Sequence, residues 1–261
     1  MTRAATPPHP WVASPLLIGA IAVAWALAIG SELTGRIQWV HHHHLLVADM
    51  TVVASAALFL VAWQVHIAAM MLPSTLPMFG LFHQAASGQR HPATARAAFV
   101  AGYLVVWTGF GLAAVSGDAL AHTARHLELG LPERSGWLAG GVIALAGAFQ
   151  FSRLKDRCME YCRHPFQFLT RYYQPGTIAA FQLGLRHGLF CLGCCWALML
   201  VMFVVGIANL AWMVPLALLM LYEKAGPGGD RVVRPVGALL VLLGVFVIAD
   251  PHWLPQLGIA H

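Results

Sequence analysis

Three cysteines and two methionines, Cys191, Cys194, Cys195, Met199 and Met202, fall within the apolar run FCLGCCWALMLVMF. Offsets of three and four return to one face of a helix, so these residues and His187 form a single stripe. Thiolate and thioether sulfur prefer Cu(I) and similar soft ions to hard ones. A metal site is therefore expected here, with copper favoured and His187, Cys191, Cys194, Cys195 and Met199 as ligands. Cysteine also packs as a small apolar residue, which is the competing role for the same stripe.

Other residues could complete or duplicate that site. His66 and Met70 are four apart in QVHIAAMMLPS, with Met71 adjoining. An imidazole inside an apolar span needs a partner, whereas methionine is also a common filler of irregular packing. Asn209 and Met213 share a face further on; they read either as a cation-receiving cluster or as a helix cap beside a packing methionine. Cys158 and Cys162, with His164 behind them in LKDRCMEYCRHPF, form a candidate second metal or redox pair. His41 to His44 and the pair His122 and His126 are candidates for metal capture on the opposite side, since imidazole suits several transition metals.

Long apolar elements must hold these groups. The chain is 59% hydrophobic and 10% charged, with a mean hydropathy of +0.71. A soluble domain of that composition would expose large apolar areas, so the chain belongs in a lipid bilayer. Seven candidate spans follow at 15–30, 45–71, 97–115, 136–151, 177–205, 207–222 and 232–249, the fourth and sixth being short. Six to seven spans in one all-α integral membrane domain, residues 1–261, is the expected architecture. Pro73 and Pro77 should break or kink the second span.

Charge sets the orientation. Arg3, Arg90, Arg96, Arg153, Lys155, Arg157, Arg163, Arg171, Lys224, Arg231 and Arg234 fall on one side, against Arg36, Arg125 and Arg134 on the other. The positive-inside rule then puts the N-terminus and a tail over 1–14 in the cytoplasm. Residues 153–176 become a cytoplasmic loop, aromatic and basic enough to lie on an anionic leaflet. Glu223 and Lys224 read as anchors at the inner interface or as partners of a loop. Basic residues at the ends of apolar segments argue for topology, and against a nucleic-acid partner. Five cysteines leave one over in any fully paired scheme, which favours thiols or ligands over a disulfide framework.

The segments AMMLPSTLPMF (69–79), KDRCMEYCRHP (155–165), GLFCLGCCWALM (188–199) and GIANLAWM (206–213), followed by Glu223-Lys224, resemble the DUF2182 family over residues 45–224. The resemblance implies a bacterial metal-binding integral membrane protein of the cytoplasmic (inner) membrane. It picks out Met70, Met71, Pro73, Pro77, Cys158, Cys162, Arg163, Pro165, Cys194, Cys195, Trp196, Met199, Asn209, Trp212, Met213, Glu223 and Lys224.

Three function classes remain in play. The first is a membrane-embedded copper handler that relays, transports or delivers metal, its partners being the bilayer and a metal carrier or membrane cuproenzyme. The second is a metal-dependent membrane oxidoreductase or oxygenase, or a haem protein using His66 and His187 as axial ligands. Di-iron chemistry is disfavoured by the sulfur ligands and by the small number of His elements. The third is an accessory scaffold whose cysteines only pack.

Overall fold

Glycine sets how the long helices meet. In a computed structural model, residues 15–34, 52–126, 135–206 and 209–250 are described. They form ten helices and, among the described residues, no strand. In chain order these are α1 (Pro15–Leu33), α2 (Val52–Met70), α3 (Leu72–Ala86), α4 (Pro92–His126), α5 (Ser135–Phe149), α6 (Arg153–Arg163), α7 (Pro165–Tyr172), α8 (Thr177–Val205), α9 (Leu210–Ala225) and α10 (Gly229–Ala249).

The α4/α8 crossing is made by Gly102, Gly184 and Gly188. A Cβ on Gly184 would overlap the Phe99 carbonyl, and one on Gly102 would come 2.8 Å from Leu185 N. A Cβ on Gly188 would meet the Val106 side chain at 3.0 Å. Small residues four apart allow two backbones to approach closely, the usual device for joining helices where lipid removes the hydrophobic drive. The α5/α10 contact repeats it antiparallel. Gly140 faces the Gly244 carbonyl, where a Cβ would come within 2.6 Å, and Gly147 faces the Gly237 carbonyl, where the distance would be 2.7 Å.

Apolar side chains cover the outside as well as the core. Ala24 is the one fully buried residue of α1, and Leu16, Ile18, Val23 and Leu27 are exposed, as are Leu239, Leu242, Val245 and Phe246 on α10. An exposed apolar surface of this extent suits lipid and not water. Among the described residues, α1, α4, α8 and α10 are long and apolar enough to cross a membrane. The number rises to six if each of two bent pairs is one span: α2 with α3, bent by 76°, and α5 with α6, bent by 65°. The difference from seven lies at α9. Its 16 residues, with Pro215 inside, fall short of the roughly 20 that a bilayer requires.

The bend after α2 follows from Pro73 as expected. Proline is tolerated in the first turn of a helix, where its missing N–H has no partner to lose. α3 accordingly starts with Pro73 in its first turn, and Pro77 lies within the helix. At the second bend Ser152 caps α6, its Oγ accepting from Lys155 N–H at 3.1 Å.

Candidate metal centre

Three interruptions of the chain converge on the middle of α8. They are the α2/α3 bend, which carries Met70, Met71 and Ser74; the helix after the α5/α6 bend, which carries Lys155, Cys158 and Cys162; and the last turn of α9, with Glu223 and Lys224. The stripe predicted on α8 points inward: Cys191, Cys194, Cys195, Met199 and Met202 are all buried, and His187 with them. The Cys194 and Cys195 thiols both donate to the Cys191 carbonyl, at 3.0 and 2.8 Å. That local bonding holds two sulfurs against the helix, aimed at its neighbours.

Cys195 Sγ lies 3.6 Å from Met71 Sδ, which joins thiol and thioether across two elements. Cys194 Sγ lies 3.8 Å from Cys162 Sγ. Cys158 packs where Gly193 leaves room, since a Cβ there would come 2.5 Å from its sulfur. The expectation of a separate Cys158/Cys162 site is thereby altered: both are drawn toward α8, and His164 stays exposed at the α6/α7 junction. Gly193→Ala should displace Cys158 and destabilise the protein by about 1–3 kcal/mol, the usual cost of overpacking. A thermal-unfolding scan of the detergent-purified variant measures it.

The remaining candidates sit near this cluster without joining it. Met199 and Met202 continue the α8 stripe by one and two turns, and Met70 and Met213 are buried. His187 lies one turn before Cys191, packed by Phe168, Tyr103, Phe99 and Phe79 with ring centroids 5.6, 5.7, 6.2 and 6.5 Å away. Its Nε2 has no hydrogen-bond partner among the described residues. His66 stacks on Trp63 at 5.6 Å. Asn209 takes the capping role: Oδ1 accepts from Ala211 N–H and Nδ2 donates to the Val205 carbonyl, both at 3.1 Å. His41 to His44 lie outside the described residues, as do the side chains of His122 and His126. Among the described residues, no group of three or more His, Cys, Asp or Glu side chains is arranged to hold a metal ion. The close sulfur contacts across elements are instead pairs: Cys195 with Met71, and Cys194 with Cys162.

Charged and polar partners of the sulfurs went unrecognised in the sequence. Lys224 Nζ donates to Cys191 Sγ at 3.2 Å and to Ser74 Oγ at 3.3 Å, and lies 3.8 Å from Cys195 Sγ. Tyr103 OH is 3.3 Å from Cys191 Sγ. Lys155 Nζ donates to the Cys194 carbonyl at 3.1 Å and pairs with Glu223 Oε2 at 2.7 Å, both side chains being 1% exposed. Arg163 Nη1 donates to the Glu223 carbonyl at 2.6 Å and latches the end of α9. Glu223 thus follows the second of its two sequence readings, as a partner of residues 153–176 through Lys155 and Arg163, whereas Lys224 is buried against the sulfurs. α9, at 16 residues, ends with Glu223 and Lys224 buried against its neighbours.

A family model described as PpoB2, copper chaperone, matches residues 60–247. No curated protein and no solved structure matches the chain. The matched stretch takes in Met71, all five cysteines and the lysines beside them. Sulfur donors of the kind that Cu(I) prefers, gathered by helix bends within a match that covers most of the length, place this chain in the PpoB2 copper chaperone family.

Proposed function

We propose that the protein carries Cu(I) within the membrane at a site built from Cys191, Cys195 and Met71, and hands it to a membrane or exported copper enzyme. The observation that carries this reading is the 3.6 Å approach of Cys195 Sγ to Met71 Sδ beside the buried Cys191. Two thiolates and a thioether form a soft donor set. Cys162 and Cys194, at 3.8 Å, form a neighbouring sulfur pair to which the ion moves. His187 extends the path toward the start of α8, and His66, stacked on Trp63 beside Phe203, extends it with Met70, Met199 and Met213 toward the other end; Cys158 lines it.

The match to a copper chaperone family supports cargo rather than a resident cofactor. The DUF2182-like region and the matched region overlap over residues 60–224, and we take them as one family. By the positive-inside rule the N-terminus lies in the cytoplasm of a bacterium, in whose inner membrane the helices sit. Copper loading then occurs near the basic outer face of α6 and α7, whose exposed side turns to the leaflet while Lys155, Cys158 and Phe168 pack inward.

Protein purified from copper-supplemented cells should contain close to stoichiometric copper, lost in Cys191→Ser and Cys195→Ser and reduced in Met71→Leu. Elemental analysis alongside size-exclusion profiles measures this. Copper-free unmodified protein, or copper retained in both cysteine variants, contradicts the reading.

A further inference from the structure

Lys224 touches the two sulfurs proposed above to hold the cargo, and among the described residues no carboxylate forms a salt bridge with it. Its side chain is buried. Its contacts are Cys191 Sγ at 3.2 Å, Cys195 Sγ at 3.8 Å and Ser74 Oγ at 3.3 Å. The nearest acidic residue in sequence, Glu223, is committed to Lys155 at 2.7 Å. Among the described residues no carboxylate oxygen lies within salt-bridge reach of Lys224. An ammonium taken out of water requires a compensating negative charge, and the two sulfurs are the groups in place to supply it.

We propose that Lys224 makes the site selective for a monovalent soft cation over a divalent one. The inference rests on the copper-carrying reading and adds the charge that specifies the cargo. In the loaded site two thiolates contribute −2 and Lys224 contributes +1, so that one Cu(I) brings the total to zero. Met71, Ser74 and Tyr103 bring no charge, and the Lys155–Glu223 pair cancels itself. A divalent ion in the same place leaves a net positive charge buried among Met71, Cys191, Cys195 and the helix core, which low dielectric penalises. Softness alone does not make this distinction, because thiolates also bind zinc and other divalent ions tightly. Lys224 adds discrimination by valence to discrimination by ligand type, as an element acting against the wrong ion.

The test uses the full chain in detergent, with Ag(I) as a redox-inert monovalent probe and Cd(II) as a soft divalent one. Competition between them is followed by thiolate-to-metal charge-transfer absorption. Lys224→Met and Lys224→Gln should each lower the preference for Ag(I) over Cd(II) by about tenfold or more, the scale expected when a desolvated charge is removed. Lys224→Arg keeps the charge and should keep the preference. An unchanged preference in both neutral variants, with Ag(I) binding still abolished by Cys191→Ser, overturns the inference and leaves the copper-carrying reading standing. Unmodified protein that binds no Ag(I) through Cys191 and Cys195 overturns both. Should the neutral variants fail to fold by size-exclusion profile, the unmodified protein decides against a free dithiol as reference: an Ag(I)-over-Cd(II) preference about tenfold or more above that of the dithiol supports selection by valence, and an equal preference contradicts it.

Discussion

Glu223→Ala should lower stability by about 3–5 kcal/mol, because it strands the Lys155 ammonium in the protein interior. Both side chains are 1% exposed and bond at 2.7 Å, so water screens neither charge. Lys155 would keep one acceptor, the Cys194 carbonyl at 3.1 Å. A neutral oxygen does not offset a desolvated cation, and the cation adjoins the cysteine segment of α8. Lys155→Met, which strands the carboxylate, should cost a similar amount. The double variant Lys155→Met/Glu223→Leu should recover most of the loss, since replacing a whole buried pair by apolar groups is often close to neutral. Denaturant or thermal unfolding of the three variants in one detergent tests the pattern. Equal losses in the single and double variants would mean that the pair does more than satisfy itself, for instance by fixing Cys194.

Gly184→Val should be as damaging by a different route, at about 3 kcal/mol or more, the upper end for overpacking. The added Cβ would overlap the Phe99 carbonyl, part of a helix backbone and therefore unable to turn aside. α4 and α8 would have to separate, pulling Phe99 and Tyr103 away from His187, and Tyr103 OH from Cys191 Sγ. Gly188→Ala makes a milder comparison, because its Cβ would come no nearer than 3.0 Å to Val106 and 3.3 Å to the Tyr103 carbonyl. Helicity should survive in both variants, whereas the unfolding midpoint should fall much further for Gly184→Val. Similar midpoints would show that the crossing is looser than described.

Helix content and the sulfur stripe were legible because each depends on local pattern. Composition demands lipid-facing helices, and offsets of three and four along α8 put Cys191, Cys194 and Cys195 on one face without knowledge of any neighbour. Pro73 likewise announced a break, since its effect on the backbone is local. The partners of the stripe were harder to read, because each depends on where another element ends. Cys162 reaches Cys194 through the 65° bend between α5 and α6, and nothing in LKDRCMEYCRHPF specifies that angle. Lys224 reaches Cys191 because α9 stops after 16 residues. Its charge suggested an interfacial anchor or a loop partner, and neither reading names a sulfur. Asn209 carried two readings in sequence, and the structure places it as a cap.

Copper K-edge X-ray absorption on protein loaded with one equivalent of Cu(I) tests the central claim most directly. The account predicts an edge of Cu(I) type and a first shell of sulfur alone, from Cys191, Cys195 and Met71, which loses one sulfur in Met71→Leu. A shell dominated by nitrogen or oxygen, or a sulfur shell unchanged by Cys191→Ser and Cys195→Ser, would contradict it.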